Sequence, residues 1–221
     1  MFTLQNNKWA KSGNESDRHE GKVIGIDMGG KASNFAVCVS SYGEIDRFGG
    51  TELEEICHNA LTDESVKRGL DIYFLHHAEK MVLKWKAAGV TNIFVGCCGG
   101  DYLKVVHDNE NNELFKAGAH RRFISSLRDV CKEVGIRIDA KFNEYYTSQA
   151  CSLTNDYIPA NKAEAEAYSF GGNRVGGLYI TKTRLMLDAD VNAAANIVRL
   201  GGYDVVIPIG CDFRNEIRSM V

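Results

Sequence analysis

Lys22-Val-Ile-Gly-Ile-Asp27-Met-Gly-Gly-Lys31 decides how the rest of this chain is understood. An apolar run ends in one carboxylate, two glycines follow, and a second apolar stretch, Asn34-Phe-Ala-Val-Cys-Val-Ser40, begins at once. The pattern predicts a buried strand over 22–28, a tight turn at the glycines, and a strand over 34–40 folding back beside it. A further turn at Ser41-Tyr-Gly43 and a strand from Glu44 to Phe48 complete an antiparallel meander. An aspartate at the end of a buried strand is costly unless a proton, a partner or a metal compensates its charge.

Working outward, residues 53–70 are mixed and only weakly helical in pattern. Residues 71–88 predict a helix with Leu75, Ala78, Val82 and Trp85 on its buried face. Gly89 ends it, and Val90-Thr-Asn-Ile-Phe-Val-Gly96 is a compact apolar strand. A strand, helix, strand unit therefore follows the meander. Asp101 to Phe115 is polar and predicts a mobile loop or insertion. Over 119–134, Phe123, Leu127, Val130 and Val134 form an apolar helical stripe, with Arg121, Arg128 and Lys132 opposite. Gly135 closes that helix. Ile136–Phe142 alternates as a half-exposed strand and delivers Glu144 to its end. Residues 145–187 carry no long element beyond a short hairpin over 175–187. A helix opens at Asp188-Ala-Asp190, with acids at its positive end, and stops at Gly201-Gly202. Residues 1–21 are expected to be a flexible leader, and 201–221 a tail with a strand-like Val205–Ile209.

The composition, 44% hydrophobic and 25% charged in 221 residues, is that of one ordinary globular domain, and the order of strands and helices makes it α/β. The sequence carries neither a membrane-length apolar run nor a signal-peptide core, so an intracellular setting is expected (cytoplasm, nucleoid, or a viral or mobile-element context). A net charge of −3 does not decide for or against nucleic acid, since local charge governs that. The 7 cysteines form no C-x-x-C pair and several lie in apolar patterns, which predicts buried thiols. His76-His77 on a helix point to different faces and predict surface histidines.

Three carboxylates stand out by position: Asp27 at a strand end, Glu144 at another, and Asp190 at a helix start. Each alone has an ordinary account as a turn residue, a surface acid or a helix cap. Together they suit hydrolysis of phosphodiesters. Hard dications take oxygen ligands, and nucleases that use a pair of them about 3.5–4 Å apart need acids converging from separate elements. Asn192 and Asn196 fit supporting hydrogen bonds, with Ser148 beside them. His120-Arg121-Arg122, Arg128 and Lys132 are the candidate phosphate contacts.

The strings Val23-Ile-Gly-Ile-Asp27, Glu144-Tyr-Tyr-Thr-Ser-Gln149-Ala-Cys151-Ser152 and Asp188-Ala-Asp190-Val-Asn192-Ala-Ala-Ala-Asn196-Ile197 resemble, in order, the three RuvC motifs of the TnpB/OrfB transposon-encoded proteins, relatives of the compact type V CRISPR nucleases. The resemblance covers residues 22–200 and implies an RNase H-like mixed sheet flanked by helices. It also implies Mg²⁺- or Mn²⁺-dependent cleavage of DNA, branched or single-stranded forms included, with Asp27, Glu144 and Asp190 in the places of the metal-binding catalytic acids. Two departures narrow it. The family's zinc ribbon needs two C-x-x-C pairs between the second and third motifs. Here Cys151 stands alone with Thr154, and Ile180 and Thr183 occupy the second pair's places, so no zinc is expected and 145–187 counts as a degenerate ribbon. Members also carry a long N-terminal region that holds guide RNA, whereas about twenty residues precede the first motif here. The expectation is a nuclease core acting on its own, as a homodimer, or with a guide RNA held by a partner protein. Two competing readings are a nucleic-acid-binding protein that has lost cleavage, and an actin-like or sugar-kinase-type ATPase, whose first phosphate loop Gly25-Ile-Asp27-Met-Gly-Gly also resembles. The second lacks a further D-x-G loop and leaves Glu144 and Asp190 without a shared task.

Overall fold

The computed structural model describes residues 19–97 and 117–207. Its centre is a five-stranded sheet in the order β3-β2-β1-β4-β5. The strands are β1 (Lys22–Lys31), β2 (Asn34–Ser40), β3 (Ile45–Phe48), β4 (Val90–Cys97) and β5 (Arg137–Asn143). β1, β2 and β3 pair antiparallel, while β4 lies parallel to β1 and β5 parallel to β4. A three-stranded meander extended by parallel strands on the far side of β1 is the RNase H-like arrangement. β1 runs further than the sequence pattern predicts. Its glycines continue the strand through an irregularity between Met28 and Lys31, and the turn falls at residues 32–33.

Side-chain alternation along β1 assigns its two faces. Ile24 and Ile26 point into the main core, which is closed by α1 (Thr51–Ala60), α2 (Glu64–Ala87) and α3 (Ala119–Val134). Val23 packs instead with Val198 and Tyr203, on the face covered by α5 (Ala189–Leu200). Gly25 belongs to this second face: a Cβ there would meet the Ala194 carbonyl and come within 2.9 Å of Val198 Cγ2. Glycine thus lets α5 lie directly on β1. Period two then puts Asp27 on the α5 face. That assignment follows from the strand alone.

The helices depart from expectation in extent. Residues 53–60 and 64–70 are helical, in α1 and in the first turns of α2, which is capped by Asp63 through the amides of Ser65 and Val66. The buried stripe of α2 is Leu70, Phe74, Ala78, Val82 and Trp85, with Leu75 exposed. The stripe runs at spacings of four and three residues, so Phe74 takes the buried place next to Leu75. α3 and its left-handed Gly135 cap agree with the periodicity. Cys38, Cys57, Cys131 and Cys151 are buried free thiols, and His77 is half-buried against Phe48 and Tyr73.

Residues 145–187 are more ordered than predicted. After α4 (Lys162–Glu166), β6 (Gly172–Val175), β7 (Leu178–Thr181) and β8 (Met186–Asp188) form a separate antiparallel sheet, with Gly176-Gly177 as the first hairpin's turn. Cys151, Tyr179, Leu187 and Ala189 form its small core. Residues 205–207 form no strand, although Val206 donates to the Ser41 carbonyl at 3.1 Å. The predicted mobile loop 101–115, most of the leader, Cys98 and the last part of the tail lie outside the described residues.

Candidate active site

Three elements bring acids to the α5 face: β1 within its length, β5 just past its end, and α5 in its first turn. Asp27 rises from β1. Glu144 follows β5 directly and lies over Gly96 of the intervening β4, where a Cβ would collide with its carboxylate. The turn beyond Glu144 is fixed by Thr147, whose amide and hydroxyl both donate to the Glu144 carbonyl at 3.1 and 2.8 Å. Asp190 stands in the first turn of α5. The cap of that helix is Asp188, not Asp190: Asp188 Oδ1 accepts the amides of Asp190 and Val191 at 2.9 and 3.0 Å. Capping by Asp188 leaves the Asp190 carboxylate available for other work.

The electrostatics join these groups. Burial, then the charges of Glu144 and Asp190, hold the Asp27 carboxyl well above the ordinary carboxylate range; Asp188 adds to the rise and Arg174 opposes it. The Asp190 carboxylate is engaged on both oxygens. Oδ1 pairs with Arg174 Nη2 at 3.0 Å, and Oδ2 accepts the Asn34 side-chain amide. With the side chains so placed, no group of three or more His, Cys, Asp or Glu among the described residues is gathered closely enough to hold one metal ion. The donor set still suits a hard dication. All the atoms are carboxylate oxygens, and their mutual repulsion on Asp27 is what a cation would relieve. Arg174, on the edge strand of the small sheet, currently supplies part of that positive charge. Sequence reasoning missed it, because no spacing relates a hairpin arginine to an acid sixteen positions on.

The other predicted residues fall into separate places. Asn192 and Asn196 are fully buried on the side of α5 facing residues 147–152. Asn192 accepts the Ser152 amide and hydroxyl at 3.0 and 2.8 Å and donates to Ala150 O at 2.8 Å. Asn196 donates to Thr147 O and Ala150 O, both at 2.7 Å. They bind the backbone behind Glu144 to the helix that carries Asp190. The serine in this network is Ser152; Ser148 is half-buried beside it. His120 is buried, with Nε2 2.7 Å from Gly29 O, so it buttresses the β1 hairpin instead of facing solvent. Arg122 is committed to Asp71 and to Ala117 O. Arg121, Arg128 and Lys132 are exposed, but α3 packs on the opposite sheet face from Asp27. At 1.5 Å rise per residue, Lys132 lies roughly 18 Å further along α3 than His120. The three cations therefore stand along a helix on the other face of the sheet from the acids.

Where a zinc ribbon would stand, Asp156 organises the first knuckle. Its carboxylate accepts the Cys151 amide, the Thr154 hydroxyl and the Gly171 amide at 2.9, 2.8 and 2.5 Å. Thr183 is 2.9 Å from the Thr181 hydroxyl, which also takes the Leu185 amide. Hydrogen bonds thus join the packing that sequence alone suggested.

Residues 120–197 match the Cas12f1-like TNB domain, a stretch that contains Glu144, Arg174 and Asp190. Over that stretch the chain is similar to the Cas12f1-like nucleases, and the likeness of fold extends beyond it. The solved Cas12f1–sgRNA–target DNA complex aligns over 80% of this chain and 49% of that one, at 16% identity and a TM-score of 0.54. A CRISPR–Cas12f ternary complex aligns over 80% of this chain and 38% of that one, at 16% identity and a TM-score of 0.51. Both support a common fold, and the chain spans half or less of either Cas12f protein. No curated protein sequence matches it. Among the described residues no helix is long and apolar enough to cross a membrane.

Proposed function

We propose that this chain is a divalent-metal-dependent endonuclease whose acids are Asp27, Glu144 and Asp190. The observation that carries the proposal is the electrostatic coupling of Asp27 to Glu144 and Asp190, delivered by three elements to one face of one sheet. Mg²⁺ or Mn²⁺ bound there would supply Lewis-acid stabilisation of charge on the attacked phosphate and activation of water.

The residues divide the remaining work. Asp27 and Glu144 project from the rigid sheet, so their separation is set by strand spacing. Asp190 is aimed by its position in the first turn of α5, two residues after the cap. Arg174 is ion-paired with Asp190 and 42% exposed, so it is free to exchange the carboxylate for a substrate phosphate, to which a guanidinium binds through two parallel hydrogen bonds. Asn192, Asn196 and Thr147 keep Glu144 in register with Asp190. The relatives seen with guide RNA and target DNA favour a nucleic-acid substrate and DNA in particular. Branched and single-stranded DNA are the first forms to test.

The experiment is cleavage of labelled single-stranded, duplex and four-way-junction DNA, with matching RNA, in Mg²⁺, Mn²⁺ and EDTA. Asp27→Ala, Glu144→Ala and Asp190→Ala should each abolish metal-dependent cleavage. Cleavage that persists in Asp27→Ala would remove these acids from the reaction. Binding of DNA without cleavage of any substrate would instead favour a silent binding protein.

A further inference from the structure

The Asp190 carboxylate is held by a connection that begins two strands away. Asn34, the first residue of β2, gives its side-chain amide to Asp190 Oδ2. Arg47 of β3 gives Nη1 to Asn34 Oδ1 at 3.2 Å and Nη2 to Asp188 Oδ2 at 2.8 Å. Asp188 Oδ1 in turn caps the Asp190 amide. One guanidinium therefore fixes both handles on Asp190, the backbone through Asp188 and the carboxylate through Asn34. The geometry also sets the Asn34 amide orientation. With Arg47 donating to Oδ1, only Nδ2 remains for Asp190; a flipped amide would set donor against donor and acceptor against acceptor. The Arg47–Asp188 pair has side chains 46% and 12% exposed, and pairs this open add little to stability. Its consequence is orientation.

We propose that Asn34 and Arg47 are positioning residues that hold Asp190 for divalent ions. Arg174 is the exchangeable partner on Oδ1 and Asn34 the fixed partner on Oδ2. This rests on the three-acid site proposed above. Outer partners of metal-binding carboxylates shift metal affinity about 10–100-fold when removed.

The test is a titration of Mn²⁺ and Mg²⁺ against thermal unfolding of the full chain, with no substrate present, for wild type, Asn34→Ala, Arg47→Lys and Asp27→Asn. Asn34→Ala should raise the half-saturating Mn²⁺ concentration about 10-fold or more. Arg47→Lys keeps one cation for Asp188 but has no planar fork to reach Asn34 as well. It should keep the metal-free melting temperature and still weaken Mn²⁺. Unchanged half-saturation in both variants, or a loss of metal-free stability without a change in half-saturation, overturns the relay and leaves the three-acid site standing. A wild type that shows no metal response, or one matched by Asp27→Asn, overturns the site and the relay together.

Discussion

Replacing Asn192 by alanine tests whether α5 holds the Glu144 segment as the structure implies. The side chain is fully buried and makes three hydrogen bonds, two accepted from Ser152 and one donated to Ala150. Each is worth about 1 kcal/mol net. Ala150 O keeps Asn196 as a donor, and the Ser152 hydroxyl can rotate. The Ser152 amide cannot move away, and stranding a buried N–H costs about 1–3 kcal/mol more. The expected loss is therefore about 4–6 kcal/mol. At about 2–4 °C per kcal/mol for a domain of this size, melting should fall by about 8–24 °C. Urea and thermal denaturation followed by circular dichroism measure it. Cleavage assayed at a temperature where the variant remains folded should fall as well, because Glu144 loses its tie to the helix bearing Asp190. A loss below about 1 kcal/mol would refute the reasoning, since the segment would then be held by something other than this ladder.

Three further outcomes follow from other sites. Asp27 has its folded pKa raised by burial and by Glu144 and Asp190, so the native state binds a proton that the unfolded chain has released. Stability in EDTA should therefore fall as pH rises from about 4 through that raised value. Asp27→Asn should flatten the fall, and Mg²⁺ should restore stability at the high-pH side in wild type alone; parallel melting curves for the two proteins across pH 4–8 would contradict it. Gly96→Ala places a Cβ against the Glu144 carboxylate and 2.7 Å from Ile197 Cδ1. Cleavage should drop at least about tenfold for an overpacking cost of only about 1–3 kcal/mol, measured by kinetics beside chemical denaturation. Asp156→Ala removes the acceptor shared by Cys151, Thr154 and Gly171. Limited proteolysis should then open residues 157–171, added Zn²⁺ should not close them, and elemental analysis of the wild type should find no stoichiometric zinc.

The sequence by itself determined the sheet and its polarity of faces. Alternation along Val23–Asp27 places the aspartate opposite Ile24 and Ile26, and the small residues Ala193–Ala195 mark α5 as a helix packed on every side. The candidate acids Asp27, Glu144 and Asp190 stood out in the sequence because each sits where one pattern gives way to another, although β1 itself runs on to Lys31. Residues 53–70 were legible only as weakly helical, and the small sheet only as its hairpin over 175–187, because glycine-rich and mixed stretches have little period to follow and tertiary packing decides them. The partners of the acids were beyond sequence altogether. Asn34 meets Asp190 across 156 positions, and Arg174 reaches it from a hairpin. Local patterns encode which way a side chain faces. Only the packing of β2, β3 and the small sheet around the start of α5 decides which charge it meets.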